Sequence, residues 1–164
     1  MALEIIMDTT KKHGFICLDE SLVDATSDLA EAFRYKEYTE YGANEDMEAF
    51  SKYKPPIVWL VGHGERGKTS FVNKDGTKNI VEMRVIVQWC MANKVEYLID
   101  TACHPKSRAR IVSEMGAGFK YFCKNRDEEV QVIRTYVTGK KNDEELNVWE
   151  VRDWWEKEGF SQSS

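Results

Sequence analysis

The sequence predicts an α/β fold with a mostly parallel central sheet and helices on both of its faces. Three observations carry that expectation. First, short β-branched-rich runs bounded by Gly or Pro recur along the chain, notably 56–61 and 95–99, and such runs read as buried parallel strands. Second, segments with helical spacing alternate with them, as in residues 81–93 and 107–115. Third, the 164 residues suit a single domain over 1–164 that buries its own core without staples, and no internal repeat, linker or low-complexity tract divides the chain.

The elements follow in order. Residues 4–8 read as a first strand, and 14–18 extend it or form a second. Ser21-x-x-Asp24 resembles a capping box, after which Leu22, Ala25, Leu29, Ala32 and Phe33 keep helical spacing to about residue 36. Residues 37–41 alternate and stop at Gly42, which predicts a strand. Asn44 caps a short helix over 45–50 that must end before Pro55-Pro56. The run 56–61 then leads into Gly62-His63-Gly64-Glu65. Residues 69–73 and 77–80 flank Lys74-Asp75-Gly76, and Asp-Gly between alternating segments is a strong hairpin signal. A helix over 81–93 carries Val81, Val85, Val87, Trp89 and Met91 as its apolar positions. The run 95–99 ends on Asp100-Thr101-Ala102-Cys103-His104. Beyond Pro105 a helix over 107–115 stops at Gly116-Ala117-Gly118. Residues 119–123 and 130–137 read as strands, and Asn142-x-x-Glu145 opens a last helix, with Val148, Val151 and Trp155 on one face and Gly159 as its stop.

Bulk properties narrow the function. With 28 acidic and 23 basic residues the net charge is −5, which argues against a nucleic-acid-binding surface, whose footprint is normally basic. The segment 3–7 is too short for a secretory core and is interrupted by Glu4, and nothing approaches a membrane span, so a cytoplasmic protein with no membrane partner is expected. Cys17, Cys90, Cys103 and Cys123 lie far apart with no C-x-x-C spacing, and there are three histidines. Free thiols, no disulfide framework and no metal site are the expectation.

In open α/β sheets, substrates sit at the carboxyl ends of the strands, where this sequence places His63 and Cys103. The same glycines also spell Gly62-x-x-x-x-Gly67-Lys68-Thr69, a phosphate-cradling P-loop, with Asp100 as a candidate magnesium ligand. A P-loop must run into a helix whose N-terminus faces the phosphate. Here it is followed by Asp75-Gly76, which favours a hairpin. A thiolate nucleophile instead needs a nearby imidazole and donors for a developing oxyanion. His63 and Cys103 on neighbouring strands meet the first need, and Gly64 leaves its N–H open to a substrate carbonyl.

These residues carry a resemblance. The order strand, helix, strand, helix, strand-His-Gly-Glu, Asp-Gly hairpin, helix, strand-Ala-Cys resembles the caspase-like cysteine peptidases of clan CD, which include metacaspases and clostripain. It covers roughly residues 1–110 and rests on Val61-Gly62-His63-Gly64-Glu65, Lys74-Asp75-Gly76 and Leu98-Ile99-Asp100-Thr101-Ala102-Cys103-His104. The resemblance implies a three-layer caspase-like sandwich and an endopeptidase without cofactor, acting on a protein or peptide through a thioester acyl-enzyme. It implies His63 as general acid/base, Cys103 as nucleophile, and the N–H groups of Gly64 and Cys103 as the oxyanion hole. Where metacaspase-like members carry an acid two positions before the cysteine, this chain has Thr101, and His104-Pro105 replaces the usual small residue and glycine.

Other readings stand beside this one: a P-loop nucleotide-binding protein using Gly62, Gly67, Lys68 and Thr69, or a catalytically inactive caspase-like interaction module. Cys103 reads alternatively as a buried structural thiol, and His63 as an ordinary strand-end histidine. Asp100 reads as a brace for the turn after it, and Lys106, Arg108 and Arg110 as a solvated helix face. Trp149, Trp154 and Trp155 read as helix packing, one of them facing a possible protein partner. A phosphatase loop would need an arginine at 109, which is alanine.

Overall fold

The structure, a computed structural model, describes residues 13–17, 39–40, 52, 54–72, 76–103, 105–124, 155–157 and 159–163. Among these residues two sheets form. The larger has strands β1 (His13–Cys17), β2 (Thr39–Glu40), β3 (Ile57–Val61), β7 (Tyr97–Asp100), β8 (Lys120–Lys124) and β9 (Phe160–Ser163), in the order β2-β1-β3-β7-β8-β9. All its pairings are parallel except that of β8 with the edge strand β9. The smaller sheet is an antiparallel meander of β4 (His63–Glu65), β5 (Lys68–Val72) and β6 (Lys78–Glu82). Helix α1 (Met83–Ala92) and helix α2 (Lys106–Glu114) complete the described elements.

The central strand explains its own composition. All five residues of β3 are fully buried, because a parallel strand covered on both faces has no solvent side on which to place a polar residue. Register partners share a face, and Ile16, Val58, Leu60, Leu98 and Tyr121 present one face to both helices. α1 meets that face through Met83, Ile86, Val87 and Cys90, and α2 through Val112. The opposite face is aromatic. Phe15 stacks on Trp59 with ring centroids 5.6 Å apart, and Trp155 lies edge-on to Trp59 and stacked on Phe160 at 4.5 Å. Trp155 therefore packs inward as expected. The helix expected over 22–36, the strands over 4–8 and 130–137 and the short helix over 45–50 lie outside the described residues; of the last helix, expected from Asn142 to a stop at Gly159, residues 155–157 are described, and they are helical.

Several expectations are corrected in detail. Residues 81–82 pair with β5 rather than opening α1, so the helix begins two residues later. Its buried stripe is Met83, Ile86, Val87 and Cys90, whereas Val85 and Met91 are about half exposed. The first N–H of α1 is capped not by a side chain but by the Gly67 carbonyl, 3.0 Å from Met83 N. The helix ends in a left-handed residue, Lys94 (φ 56°), with Val95 N bonded back to the Cys90 carbonyl. Strand β9 follows directly on Gly159, where the sequence suggested only a helix stop.

Strand order reverses at β1, whose neighbours β2 and β3 lie on opposite sides of it. The carboxyl ends of the central strands are therefore where a site is expected. β3 leads through Gly62 into His63, and its neighbour β7 leads into Cys103.

Candidate active site

The meander bears on the P-loop reading of the glycines. Residues 68–72 form strand β5, paired on one side with β4 and on the other with β6. No helix N-terminus follows Lys68, so the geometry that a P-loop requires of Gly62, Gly67, Lys68 and Thr69 is not there. Gly62 is the buried exit from β3. Gly67 turns the chain between β4 and β5 at φ 63°, its N–H donating to Ser107 Oγ at 2.7 Å. Thr69 is fully buried in the middle strand of the meander. Gly76, at φ 83°, occupies the left-handed region beside the β5–β6 turn, which suits glycine.

The same meander brings the two candidate catalytic segments together. Gly64 lies directly on the Cys103 backbone. A Cβ built on Gly64 would sit 1.5 Å from the Cys103 carbonyl oxygen, 2.5 Å from its carbonyl carbon and 2.7 Å from Arg108 Nη1. Only a residue without a side chain permits this approach. His63, partly buried, is therefore one residue from the contact, and Cys103, 6% exposed, is at it.

A buried polar network holds the loop after β7. Thr101 donates both its N–H and its hydroxyl to the Leu60 carbonyl, at 3.1 and 2.9 Å, which stitches the end of β7 to β3. Thr101 is thus committed to the sheet. Asp100 is fully buried. Its Oδ1 accepts the Ala102 N–H at 2.9 Å, as the expected brace for the turn, and its Oδ2 accepts both Arg108 Nε at 2.7 Å and the Tyr121 hydroxyl.

Arg108 corrects the expectation of a solvated helix face. Its side chain is 0% exposed and it spans the site, with Nη2 donating to the Ala102 carbonyl at 3.1 Å and Nη1 to the Glu65 carbonyl at 3.2 Å. One guanidinium thereby bonds both the His63-Gly64-Glu65 strand and the Ala102-Cys103 turn. A buried cation is tolerable only when paired and hydrogen-bonded, and Asp100 supplies the charge. Burial opposes the charge of Arg108, but the adjacent Asp100 outweighs it and holds the guanidinium protonated above its ordinary range. Burial, reinforced by the Asp100 carboxylate, pushes the Tyr121 hydroxyl well above its usual value. Lys106 and Arg110 are exposed, as a solvated face requires.

The sequence did contain a signal for Arg108. Positions 108, 112 and 115 form one stripe at helical spacing, with Val112 and Met115 apolar, so an arginine in that stripe points inward toward a carboxylate. Tyr121 was equally legible as the inward residue of its strand, though its partner was not.

The surroundings of Cys90 and Cys123 favour the protonated thiol. Burial pushes Cys90 up to about 12, and burial with the nearby Asp100 pushes Cys123 up to about 11. A cavity of about 210 Å³ lined by Ala109, Val112, Phe119 and Tyr121 lies along α2, away from His63 and Cys103. Among the described residues no cluster of three metal-ligating side chains occurs, and no helix is long and apolar enough to cross a membrane. In comparison with known proteins, no family model matches the chain and no curated protein does.

Proposed function

We propose that this chain is a cysteine endopeptidase of caspase-like architecture, with Cys103 as nucleophile and His63 as general acid/base. The observation that carries the reading is the seating of Gly64 on the Cys103 carbonyl, which joins the His-Gly strand to the Ala-Cys turn at the ends of adjacent parallel strands. The mostly parallel sheet beside an antiparallel meander also suits a caspase-like sandwich.

In this mechanism His63 takes the Cys103 proton, and Sγ attacks the carbonyl carbon of the scissile peptide. The carbonyl π pair moves onto oxygen, facing the N–H groups of Gly64 and Cys103. Collapse of the intermediate breaks the C–N bond. The amine leaves with the proton held by His63, and a thioester remains on Sγ. Water, giving a proton to His63, attacks the thioester, and the acid and the free thiol are released. No step needs a cofactor.

Iodoacetamide labelling tests the reading. Cys103 is expected to alkylate at least tenfold faster than Cys17, Cys90 or Cys123 at pH 7.5, and His63→Ala slows it. With its thiol near 12, Cys90 holds roughly one thiolate in ten thousand molecules or fewer at that pH. Equal, slow labelling of all four cysteines would leave a non-enzymatic module as the better description.

A further inference from the structure

The Ala102–Cys103 peptide group is the pivot of the site. Its N–H belongs to Cys103, which the proposed mechanism aims at the oxyanion. Its C=O belongs to Ala102 and accepts Arg108 Nη2 at 3.1 Å. The described chain contains no cis peptide, so this C=O and N–H point in opposite directions across one plane. A cation bonded to the carbonyl therefore does two things at once. It fixes the rotation of the plane, and it draws electron density toward oxygen, which makes the N–H on the other side a stronger donor.

The remaining bonds of Arg108 are arranged to hold it in that role. Asp100 Oδ2 takes Nε at 2.7 Å, and Asp100 Oδ1 takes the Ala102 N–H at 2.9 Å, so one carboxylate orients both the guanidinium and the peptide preceding the pivot. Nη1 reaches the Glu65 carbonyl, one residue beyond Gly64, and tethers the strand that carries the second proposed donor. The guanidinium is completely buried, so its field on this peptide is not screened by solvent.

We propose that Arg108 is a positioning residue for transition-state stabilisation, polarising and orienting the Ala102–Cys103 peptide so that the Cys103 N–H binds the oxyanion. This rests on the peptidase reading of His63 and Cys103, and it assigns to Arg108 a role separable from generating the thiolate.

Two reagents make the separation. Iodoacetamide alkylation forms an S–C bond with loss of iodide and creates no oxyanion. A peptide aldehyde also forms an S–C bond to Cys103, but its carbonyl π pair moves to oxygen, which takes the thiol proton by way of His63 and ends as a hemithioacetal hydroxyl. The full chain and its Arg108→Lys, Arg108→Gln and Arg110→Gln variants would be titrated with N-acetyl dipeptide aldehydes ending in argininal, leucinal or aspartal. Expected is an aldehyde affinity weakened about tenfold or more in both Arg108 variants, with Cys103 alkylation within about threefold of wild type. Arg110→Gln removes a positive charge from the exposed face of the same helix and should change neither. If both reagents lose equally in the Arg108 variants, or neither changes, Arg108 is structural only and the proposal falls. If wild-type Cys103 alkylates quickly but binds no aldehyde more tightly than Cys103→Ala does, no oxyanion site exists and the proposal falls alone. If wild-type Cys103 is unreactive, the peptidase reading fails first. Should the Arg108 variants lack the wild-type circular dichroism, the wild-type chain decides through its ¹⁵N-resolved amide spectrum. Adduct formation must then move the Cys103 amide proton downfield more than any amide except that of Gly64, and its failure to move overturns the proposal.

Discussion

Gly64→Ala should damage both stability and the site, and the size of the damage follows from one contact. The new Cβ would stand 1.5 Å from the Cys103 carbonyl oxygen, whereas ordinary C···O contacts lie near 3.3 Å, so strand β4 and the Cys103 turn must separate by about 2 Å. Neither side yields easily. Gly64 pairs with fully buried Thr69, and the turn is pinned by Asp100 to Ala102 and by Thr101 to Leu60. Because the obstruction is backbone rather than a flexible side chain, the cost should lie at or above the upper end for overpacking, about 3 kcal/mol. A displacement of that size in the proposed catalytic pair should lower Cys103 alkylation and any peptide turnover by about 100-fold. Urea unfolding with free m and midpoint gives the first quantity, and mass-resolved alkylation gives the second. Gly118→Ala is the internal control. No atom lies within 4 Å of its added Cβ and its φ is not positive, so it should stay within about 0.5 kcal/mol of wild type. A Gly64→Ala protein as stable as wild type, with Cys103 reacting within twofold, would refute the contact and the reasoning from it.

Two further outcomes are expected. Asp100→Ala leaves the Arg108 guanidinium buried without its counter-charge and the Tyr121 hydroxyl without its acceptor, so denaturant unfolding should show a loss of about 3–5 kcal/mol; a loss below 1 kcal/mol would show that the network is not formed. Cys90 titrates near 12 in the folded protein against an ordinary value of 9.0. Above pH 9 the unfolded state therefore binds fewer protons than the native state. Unfolding free energy should fall by about 1.4 kcal/mol per pH unit from this group as pH rises from about 9 to 12. Other groups titrate there too, so the reading is the difference in slope between wild type and Cys90→Ala; equal slopes would contradict the burial of that thiol.

Much of the frame of the described sheets is legible in the sequence. The uninterrupted apolar run 57–61 states that both faces of its strand are covered, because no polar residue could be placed there without an unpaired buried group. Asp75-Gly76 distinguished a hairpin from a phosphate-binding helix, since the turn chemistry of Asp-Gly and the interruption of a helix by glycine point the same way. The boundaries of α1 and α2 were legible to within two residues, but the buried face of α1 was not. Val85 and Met91 are as apolar as Ile86 and Cys90, and only the sheet beneath them decides which set is covered.

What the sequence by itself determined is where reactive side chains could stand: His63 and Cys103 follow two buried strands, and glycine at 64 permits close approach of another backbone. These are local consequences of chain stiffness, side-chain volume and strand periodicity. Only the tertiary structure decided what approaches Gly64 and what charge lies behind it. Helical spacing puts Arg108 on the side of Val112 rather than with exposed Lys106 and Arg110, but it names no partner for the guanidinium. Arg108 is buried because the start of α2 falls against the Asp100 carboxylate and within reach of the Ala102 and Glu65 carbonyls. The partners of a long charged side chain are fixed by groups 6, 8 and 43 positions away, and no local propensity encodes that meeting.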